Sequence, residues 1–343
     1  MEIEREELIQ ALEVVEAGLA STEVIQQGAS FIFHDKRLFA FNDVVAISAP
    51  SPLDIEGAVQ GRELITFLKK MKNKTVDISV DEKQLMIEAG KTKAGIRLQE
   101  EILLPITTIK PKGGWNELPK NFVNAMTFTQ FSIGKNDHRP LLTCLHVKDD
   151  FAESTDGFRA TRYTLSEKID DEFLIPYGAV KDVITFKPTH YNLTPGWVHF
   201  HNEEEILFSC RTFPDPSEFP DTNRIFDLEG PAIELPEKLG DILERAAIFT
   251  MEKDGHKSVD IQIEDGWIKA RGEGDRGWSE EETRVRYKGG LIHIKINPQF
   301  LLQAFSKLNN MVVGENSVEL IGDSFRHVIM LMATDTNSPR TER

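Results

Sequence analysis

The sequence predicts an α+β fold built from one small unit that occurs six times. Six segments carry apolar residues at three- and four-residue spacing, which is typical of short amphipathic helices. They begin at residues 5, 61, 119, 177, 236 and 297, so a helix recurs about every 58 residues. Strand-like runs with alternating apolar residues follow the helices, which predicts antiparallel sheets with one buried face.

The six predicted helices differ in sequence but share their spacing. In the second, Leu64, Phe67, Leu68 and Met71 fall on one face, and three of the segments begin at or next to a proline, where a helix tolerates it. The segments are REELIQALEVVEAGL, GRELITFLKKMKN, PKNFVNAMTFTQFS, YGAVKDVITFKP, PEKLGDILERAAIF and NPQFLLQAFSKLN.

Each predicted helix is followed by a predicted meander, as in the alternation of Val76, Ile78 and Val80. A single unit of this size would be only marginally stable. Pairing the units two by two predicts three similar domains of ordinary size, with boundaries in runs rich in Pro, Gly, Asp and Asn. The predicted domains are residues 1–110, 111–226 and 227–334, with a flexible tail at 335–343.

The charge is distributed unevenly along the chain. The 343 residues are 40% hydrophobic and 28% charged, which are globular values, and the net charge is −16. The negative net charge alone argues against binding of nucleic acid. The stretches that contain the six helices together carry +4, however, so the sequence predicts a mildly basic helical surface on an acidic body. These stretches are 5–19, 61–74, 119–135, 177–189, 236–249 and 297–310. Such a surface can hold a polyanion without reading its sequence. The plainer alternative is that the lysines at 69–74 only complement a helix dipole.

Several features bound the environment of the protein. The first residues, MEIEREELIQ, are acidic and lack an apolar signal core, and no apolar run approaches the roughly 18 residues of a membrane span. We therefore expect a cytoplasmic protein with no membrane partner. Cys144 and Cys210 lie in apolar strand-like runs without spaced partners, so we expect buried, reduced thiols.

Three patterns resemble catalytic or cofactor sites but lack the required context. The run GEGDRG at 272–277 spells GxGxxG, yet WSEEETRVRY after it predicts a strand, and a dinucleotide site needs a helix there. His199 and His201 alternate ahead of three glutamates at 203–205, but no third ligand has metal spacing, which favours a surface strand. No paired carboxylate or Ser-His-Asp pattern is apparent around Asp156. The sequence therefore predicts no catalytic residue, no metal and no cofactor.

The stretch FAESTDGFRATRYTL at 151–165 combines strand alternation with an Asp156-Gly157 pair. Asp-Gly between alternating residues is first of all a hairpin turn signal. A hairpin is therefore predicted here.

Six motifs, in this order and spacing, give the chain a resemblance to a known family. They are HRPLLTCLHV (138–147), STDGFRA (154–160), FPDTNRI (219–225), ERAAIFTMEK (244–253), INPQFLLQAF (296–305) and HVIMLM (327–332). With them the chain resembles the bacterial DNA polymerase III β sliding clamp over almost its full length. The resemblance implies the DNA clamp fold, in which two three-domain chains close head to tail as a ring. The shortened chain and drifted motifs indicate a divergent or phage-encoded member.

The resemblance implies a processivity factor that is not an enzyme. Such a homodimeric ring encircles double-stranded DNA without reading its sequence, and its partners are the replicative DNA polymerase and a clamp loader. The helices line the hole of the ring. The DNA-facing candidates on these helices are Lys69, Lys70, Lys72, Lys74, Lys120, Lys181, Lys187, Arg245 and Lys307.

The family binds partner peptides in a hydrophobic cleft between its second and third domains. Met and aromatic side chains suit such an adaptable groove. The residues at the matching positions are Leu142, Thr155, Gly157, Phe158, Arg159, Ala160, Pro220, Arg224, Ile225, Asn297, Phe300, Val328, Met330, Leu331 and Met332.

Some positions depart from the family pattern. Phe158 stands where His is usual, Ala160 where Leu is usual, and Leu331 where Pro is usual. These changes could alter the preferred peptide. The first helix is followed by ASTEVIQQG, without the DNA-facing Arg of the family, and the polar tail TDTNSPRTER could shade the cleft.

Two alternative functions stay open from the sequence. One is a clamp-like protein that binds peptides in the cleft without encircling DNA. The other is a metal-dependent nuclease, which divalent-metal-dependent turnover of DNA would reveal.

Overall fold

The predicted periodic helices are confirmed. The computed structural model describes residues 1–135, 138–202, 205–250 and 257–333, and these residues contain six α-helices close to the predicted starts. The helices are α1 (Arg5–Glu16), α2 (Gly61–Lys70), α3 (Phe122–Thr129), α4 (Tyr177–Phe186), α5 (Leu239–Phe249) and α6 (Pro298–Phe305). Short 3₁₀ turns cover Gln130–Ser132, Pro140–Thr143, Pro216–Glu218 and Asn223–Ile225.

The strands follow the helices as predicted. In the first half of the chain they are β1 (Glu2–Glu4), β2 (Ser30–His34), β3 (Arg37–Phe41), β4 (Val45–Pro50), β5 (Gly57–Gln60), β6 (Thr75–Asp81), β7 (Gln84–Ala89), β8 (Thr92–Gln99), β9 (Asn116–Glu117), β10 (Cys144–Lys148), β11 (Phe151–Thr155) and β12 (Arg159–Thr164). The second half contains β13 (Phe173–Pro176), β14 (His190–Thr194), β15 (Trp197–His201), β16 (Leu207–Arg211), β17 (Ala232–Glu234), β18 (Val259–Glu264), β19 (Trp267–Gly274), β20 (Gly277–Arg284), β21 (Ile292–Ile296), β22 (Asn310–Val313), β23 (Ser317–Ile321) and β24 (Phe325–Met330).

The chain divides into two compact units. The first contains Met1–Thr127, Val147–Asp149 and Ser166–Pro216, and the second contains Phe128–His146, Asp150–Leu165 and the chain from Ser217 onward. This division is coarser than the three domains expected from the repeat. The three-domain organisation stays a prediction, and the tail at 335–343 lies outside the described residues.

The first unit contains a twelve-stranded antiparallel sheet in the order β1-β6-β7-β8-β5-β2-β3-β4-β16-β15-β14-β9. Helix α1 packs on α2 and on strands β3 and β4. Its buried residues Leu8, Leu12 and Val15 recur every three or four positions, as the sequence pattern predicted. Because each helix has only one apolar face, the sheet and the neighbouring helix together exclude water from it.

The second unit contains two sheets. Six neighbouring strands run in the order β11-β12-β24-β23-β22-β17, and four more run in the order β20-β19-β18-β21. Helices α5 and α6 pack on each other, and Leu243 and Leu301 from them share one core with Ile261 and Ile329 from the strands. This core holds β12 and β24 side by side, and the candidate site is built on that pair.

The GEGDRG run is the tip of a strand hairpin. Gly274 pairs with Gly277 across the β19–β20 turn, and the predicted strand after the run is confirmed. Glycine is required at position 272 by packing and not by phosphate binding. A Cβ atom there would collide with the carbonyl oxygen of Ala246 in α5. The glycine therefore lets the helix approach the sheet closely.

The interpretation of HFH as a surface strand was wrong for His199. Strand β15 lies between β14 and β16, and His199 is fully buried, with Nδ1 2.7 Å from Ser209 Oγ and Nε2 2.8 Å from Thr194 Oγ1. Burial lowers the pKa of His199 to about 4. Both ring nitrogens are engaged by hydroxyl groups, so neither is available to a metal. Glu203 and Glu204 lie outside the described residues.

The cysteine prediction is confirmed. Cys144 and Cys210 are buried free thiols, and burial raises the pKa of Cys144 to about 12. Within the described ranges no helix is long and apolar enough to cross a membrane.

Replacing Gly272 with Ala should destabilise the protein by about 1–3 kcal/mol or more, because the new methyl group collides with helix backbone that cannot rotate away. Urea unfolding measures the loss. Gly178→Ala is the matched control, since Gly178 lies in α4 with open space around its Cβ position, and this change should be neutral or stabilising. Equal stabilities of the two variants would contradict the packing role of Gly272.

Candidate peptide-binding groove

The predicted hairpin is confirmed, and its turn is fixed by side chains. Strands β11 and β12 pair with Thr155 opposite Ala160. Asp156 Oδ1 accepts hydrogen bonds from the backbone N–H groups of Phe158, at 3.0 Å, and Arg159, at 3.1 Å. Gly157 has φ +89°, and a Cβ atom there would also meet the Arg139 guanidinium. The positive φ selects glycine, whereas the flexible end of Arg139 could move aside.

Arg159 connects the hairpin turn to two neighbouring elements. Its Nε donates to Asp156 Oδ2 at 2.9 Å, Nη1 donates to Gln303 Oε1 in α6, and Nη2 donates to the carbonyl oxygen of Phe131. The guanidinium also stacks on the Phe300 ring, 4.1 Å from its centroid. Burial lowers the pKa of Arg159, and Asp156 opposes that shift. A predicted cleft residue is therefore a structural anchor for the others.

Four apolar side chains form what we call the apolar strip. The strip consists of Phe158, Ala160, Val328 and Met330. Alternate residues of adjacent strands share a face, Ala160 pairs with Val328, and the backbone N–H of Met330 donates to the carbonyl oxygen of Phe158 at 2.9 Å. Ala160 and Val328 are buried against Phe226, whereas Phe158 is 49% exposed and Met330 52% exposed. The strip thus has a buried floor and an exposed apolar rim.

Residues 219–228, which we call the wall segment, lie beside this strip. Phe226 of the segment is buried against Ala160 and Val328. Its neighbour Ile225 is exposed, as are Arg224 and Pro220. Arg224 and Ile225 directly precede the residue that packs on the floor of the strip, and the contact of all three exposed residues with a guest stays a prediction.

A second concavity, the helix-side pocket, lies at the tip of the hairpin. It has a volume of about 500 Å³. Phe158, Arg159 and Phe300 line it, as predicted from the motifs. The motifs did not indicate the other lining residues, which include Ile133, Lys135, His138, Gln299 and Gln303. The three-residue spacing of Phe300 and Gln303 on α6 was the available signal for one of them.

Three predicted cleft residues support the groove from below its surface. Leu142 is almost fully buried. Asn297 caps α6, because its Oδ1 accepts from the backbone N–H of Gln299 at 2.9 Å. Thr155 Oγ1 donates to the Arg159 carbonyl oxygen at 2.7 Å and accepts from the Gly157 N–H at 3.1 Å. Their direct contact with a guest stays a prediction.

The last predicted cleft residues continue past β24. The backbone N–H of Leu331 donates to the Asn316 carbonyl at 2.9 Å, and that of Met332 donates to the Lys295 carbonyl at 2.8 Å. Both side chains are partly exposed. The tail TDTNSPRTER lies outside the described residues, so its shading of the cleft stays a prediction.

A buried polar chain lies on the opposite face of the same two strands. Thr161 Oγ1 lies 2.5 Å from Ser132 Oγ and 2.8 Å from His327 Nδ1. Burial and the charge of Arg159 lower the pKa of His327 to about 3. Its Nε2 has no hydrogen-bond partner within the described part of the chain. His327 is therefore neutral at ordinary pH.

The predicted DNA-facing residues differ in how far their charge is already compensated. Lys69 Nζ lies 2.8 Å from Glu13 Oε1, which raises the pKa of Lys69, and Arg245 Nε lies 2.6 Å from Glu281 Oε1. Lys307 lies over the Phe128 ring, 4.2 Å from its centroid. In contrast, the remaining six are exposed and have no ion-pair partner among the described residues. These six are Lys70, Lys72, Lys74, Lys120, Lys181 and Lys187.

Sequence comparison finds relatives of one kind. No protein-family model matches the chain. The chain is 23% identical to the beta sliding clamp of Pseudomonas aeruginosa over 295 residues, which cover 81% of this chain and 77% of that protein. It is 24% identical to the beta sliding clamp of Pseudomonas putida over 264 residues, which cover 72% and 71% of the two chains.

Structural comparison gives the same result over nearly the whole chain. The DNA polymerase III subunit beta of Pseudomonas aeruginosa superimposes with a TM-score of 0.85 at 19% identity, covering 97% of this chain and all of that one. A putative DNA polymerase III beta subunit from Eubacterium rectale gives 0.83 at 16% identity, with 98% and 99% covered. The sliding clamp of Pseudomonas aeruginosa bound to griselimycin gives 0.82 at 19% identity, with 97% and 99% covered.

The chain therefore has the DNA clamp fold. Its similarity, in sequence and in structure, is to bacterial DNA polymerase III beta sliding clamps, which confirms the resemblance drawn from the motifs.

His327 should make stability depend on pH. Its folded pKa, about 3, lies below the ordinary value of 6.5, so between these values the unfolded chain binds more protons. The contribution of His327 to the free energy of unfolding is complete above pH 6.5. It falls by about 1.4 kcal/mol per pH unit as the pH drops toward 3.

Urea unfolding of His327→Gln at pH 7 and pH 5 tests this expectation. Between pH 7 and pH 5 the free energy of unfolding should fall by about 2 kcal/mol less in the variant than in the wild type. The exposed His293 provides the control variant His293→Gln, which should leave the wild-type pH dependence in place. An identical pH dependence of His327→Gln and the wild type would mean that His327 does not contribute.

Proposed function

We propose that this protein is a DNA polymerase processivity factor. It encircles duplex DNA and tethers the replicative polymerase and other partners through the groove around Phe158. The observation that carries the proposal is the clamp fold over 97% of the chain, combined with an exposed apolar rim where the motifs fall. The proposed mechanism is topological and involves no reaction at the protein.

The groove suits a short peptide with apolar side chains. The apolar strip offers Phe158 and Met330 as an adaptable rim over a closed floor. The helix-side pocket adds the Phe300 ring and a polar edge with Lys135 and Gln303. A peptide that spans both would be anchored by apolar side chains and oriented by polar contacts. Phe158, in place of the family histidine, makes the shared rim of the two parts more apolar.

DNA contact in this proposal is weak and independent of sequence. The lysines without acidic partners, such as Lys70, Lys72 and Lys74 at the end of α2, can neutralise backbone phosphates. Because a closed ring cannot dissociate from the middle of a duplex, enclosure supplies the retention that weak contacts do not. The acidic remainder of the chain is compatible with this mechanism, since only the inner surface meets DNA.

Two open sheet edges support a head-to-tail homodimer. From Thr92 to Arg97 the side of β8 away from β7 pairs with no strand among the described residues, and β20 forms the edge of its sheet. The open part of β8 is six residues long and β20 is eight residues long, and open edges of this kind invite a second chain. On α5, which packs against β20, Ile248 is 71% exposed and offers an apolar anchor.

The two edges carry opposite charges. Strand β8 presents Arg97 and Lys93, the latter paired with Glu88 at 2.6 Å, whereas β20 presents Glu282 and Glu280, the latter paired with Arg271 at 3.4 Å. Pairing β8 of one chain with β20 of the other would join positive to negative at both junctions of a two-chain ring. A ring closed at both junctions must be opened to admit circular DNA, so a clamp loader is part of the proposal.

Replacing Met330 with Asp should weaken peptide-groove binding at least about 30-fold, because a carboxylate would enter the apolar rim. Griselimycin, the compound bound to the Pseudomonas aeruginosa relative, serves as the probe, and calorimetry measures its Kd. Val80→Asp, at an exposed apolar residue of β6, is the control and should bind as the wild type does. Tight binding by the wild type and unchanged binding by Met330→Asp would locate the site elsewhere.

Charge reversal at the two edges tests the homodimer. One variant carries Lys93→Glu and Arg97→Glu, the other carries Glu280→Lys and Glu282→Lys, and each should be a single chain because both junctions then repel. An equimolar mixture restores opposite charges at both junctions and should recover the two-chain mass by sedimentation. If the wild type sediments as a single chain at micromolar concentration, the proposal of a two-chain ring is wrong. Persistent dimers of either variant alone would place the interface elsewhere.

A further inference from the structure

The wall segment is held by side chains instead of by a sheet. Residues 219–228 contain one short 3₁₀ turn, Asn223–Ile225, and no strand. Yet this segment carries Arg224 and Ile225, which are exposed and directly precede Phe226, the residue that packs on the floor of the apolar strip. Since backbone ladders do not fix the segment, its position depends on the residues that bind it from the sheet.

The first attachment is a buried cluster around Glu153. Glu153 Oε2 accepts from Arg162 Nε at 3.0 Å and Nη2 at 2.8 Å, and from the hydroxyl of Thr222 in the wall segment. Its Oε1 lies 3.1 Å from His146 Nδ1, and the Phe219 ring lies 4.5 Å from the His146 ring. Burial alone would raise the pKa of Glu153, but His146, Arg162 and Thr222 lower it by more, so the carboxylate stays ionised.

The second attachment is a matching cluster around Glu319. Glu319 is fully buried, and its Oε1 accepts from Arg326 Nε at 2.7 Å. Its Oε2 accepts from the backbone N–H of Leu228 at 3.0 Å, and Arg326 Nη1 reaches Asp227 Oδ1 at 2.8 Å. Both Leu228 and Asp227 belong to the wall segment.

Between the two clusters lies Phe226. Arg162 and Arg326 stand directly opposite each other on β12 and β24, a pairing that would be unfavourable for two uncompensated cations. Each has its own buried glutamate, and the Phe226 ring lies 4.6 Å from the Arg162 Cζ and 5.6 Å from the Arg326 Cζ. The two guanidinium groups thereby bind the aromatic ring of Phe226 through cation–π contacts, and we call this pair of contacts the Phe226 seat.

We propose that Arg162 and Arg326 are positioning residues for the peptide groove. By seating Phe226 and binding Thr222, Asp227 and Leu228, the two Arg–Glu pairs set the position of Ile225 and Arg224 at the edge of the apolar strip. This inference rests on the proposed peptide-binding function. Buried ion pairs are weak sources of net stability, so their effect here is on where the wall segment lies and how well the groove is preorganised.

The test removes one pair without leaving a buried charge. Glu319→Gln with Arg326→Met keeps side-chain volume and lets the glutamine oxygen still accept from Leu228. The matched control is Asp43→Asn with Arg211→Met in the first unit, where Arg211 pairs with Asp43 at 2.7 Å and lies over the Trp197 ring. The control thus loses a carboxylate partner and an aromatic contact in the other compact unit, and neither residue belongs to the wall segment.

Two readouts separate positioning from stability. A nitroxide on Asn223→Cys reports the mobility of the wall segment by electron paramagnetic resonance, and the native Cys144 and Cys210 are buried and will not label. Calorimetry gives the Kd for griselimycin with unlabelled protein. We expect faster nitroxide motion and roughly tenfold weaker binding in the Glu319/Arg326 variant. The unfolding midpoint should stay close to that of the control.

The outcomes distinguish this inference from the function on which it rests. If the wild type does not bind griselimycin, the proposed peptide-binding function is wrong. The nitroxide still tests the positioning role in that case, because unchanged nitroxide motion in the variant would mean that the Arg–Glu pair does not hold the wall segment. If the wild type binds and the variant binds equally well with unchanged nitroxide motion, the positioning role is wrong. Should the double variant fail to fold, Phe226→Leu replaces it. That change keeps an apolar contact and removes the stacked ring, with the same two results expected.

Discussion

The pairing of β12 with β24 is the interaction on which the candidate site depends. These strands are far apart in sequence, and their register places Ala160 against Val328 and Arg162 against Arg326. A slip of one residue would exchange the two faces of one strand relative to the other. The apolar rim and the Phe226 seat would then be lost together, so one ladder determines both the surface of the proposed groove and the contacts that hold its wall segment.

The two faces of that strand pair have different chemistry. One face carries the apolar strip and the Arg–Glu clusters, whereas the other carries Thr161 and His327 against the helical core. Arg159 alternates with Ala160 on β12 and binds both the hairpin turn and α6. A rigid floor with an exposed, adaptable Phe158 and Met330 suits a groove that accepts several apolar peptides.

Local pattern was enough to predict much of this architecture. Each repeat unit must bury one helix face, so the helical periodicity was visible in the sequence. The Asp156-Gly157 pair indicated the β11–β12 hairpin. Features that depend on distant partners were not predictable. The HFH pattern does not show that β15 is flanked by strands on both sides, which buries His199 between the hydroxyls of Thr194 and Ser209. The pairing of Arg245 with Glu281 joins elements 36 residues apart. Asn297 matched a cleft motif, yet the helix that begins after it uses its side chain as a cap.

Encirclement of DNA can be observed by single-particle imaging of the protein with a short duplex. We expect closed rings of two chains with duplex density passing through the central hole. Single-chain particles at micromolar concentration, or duplex bound only to the outside of a particle, would contradict it.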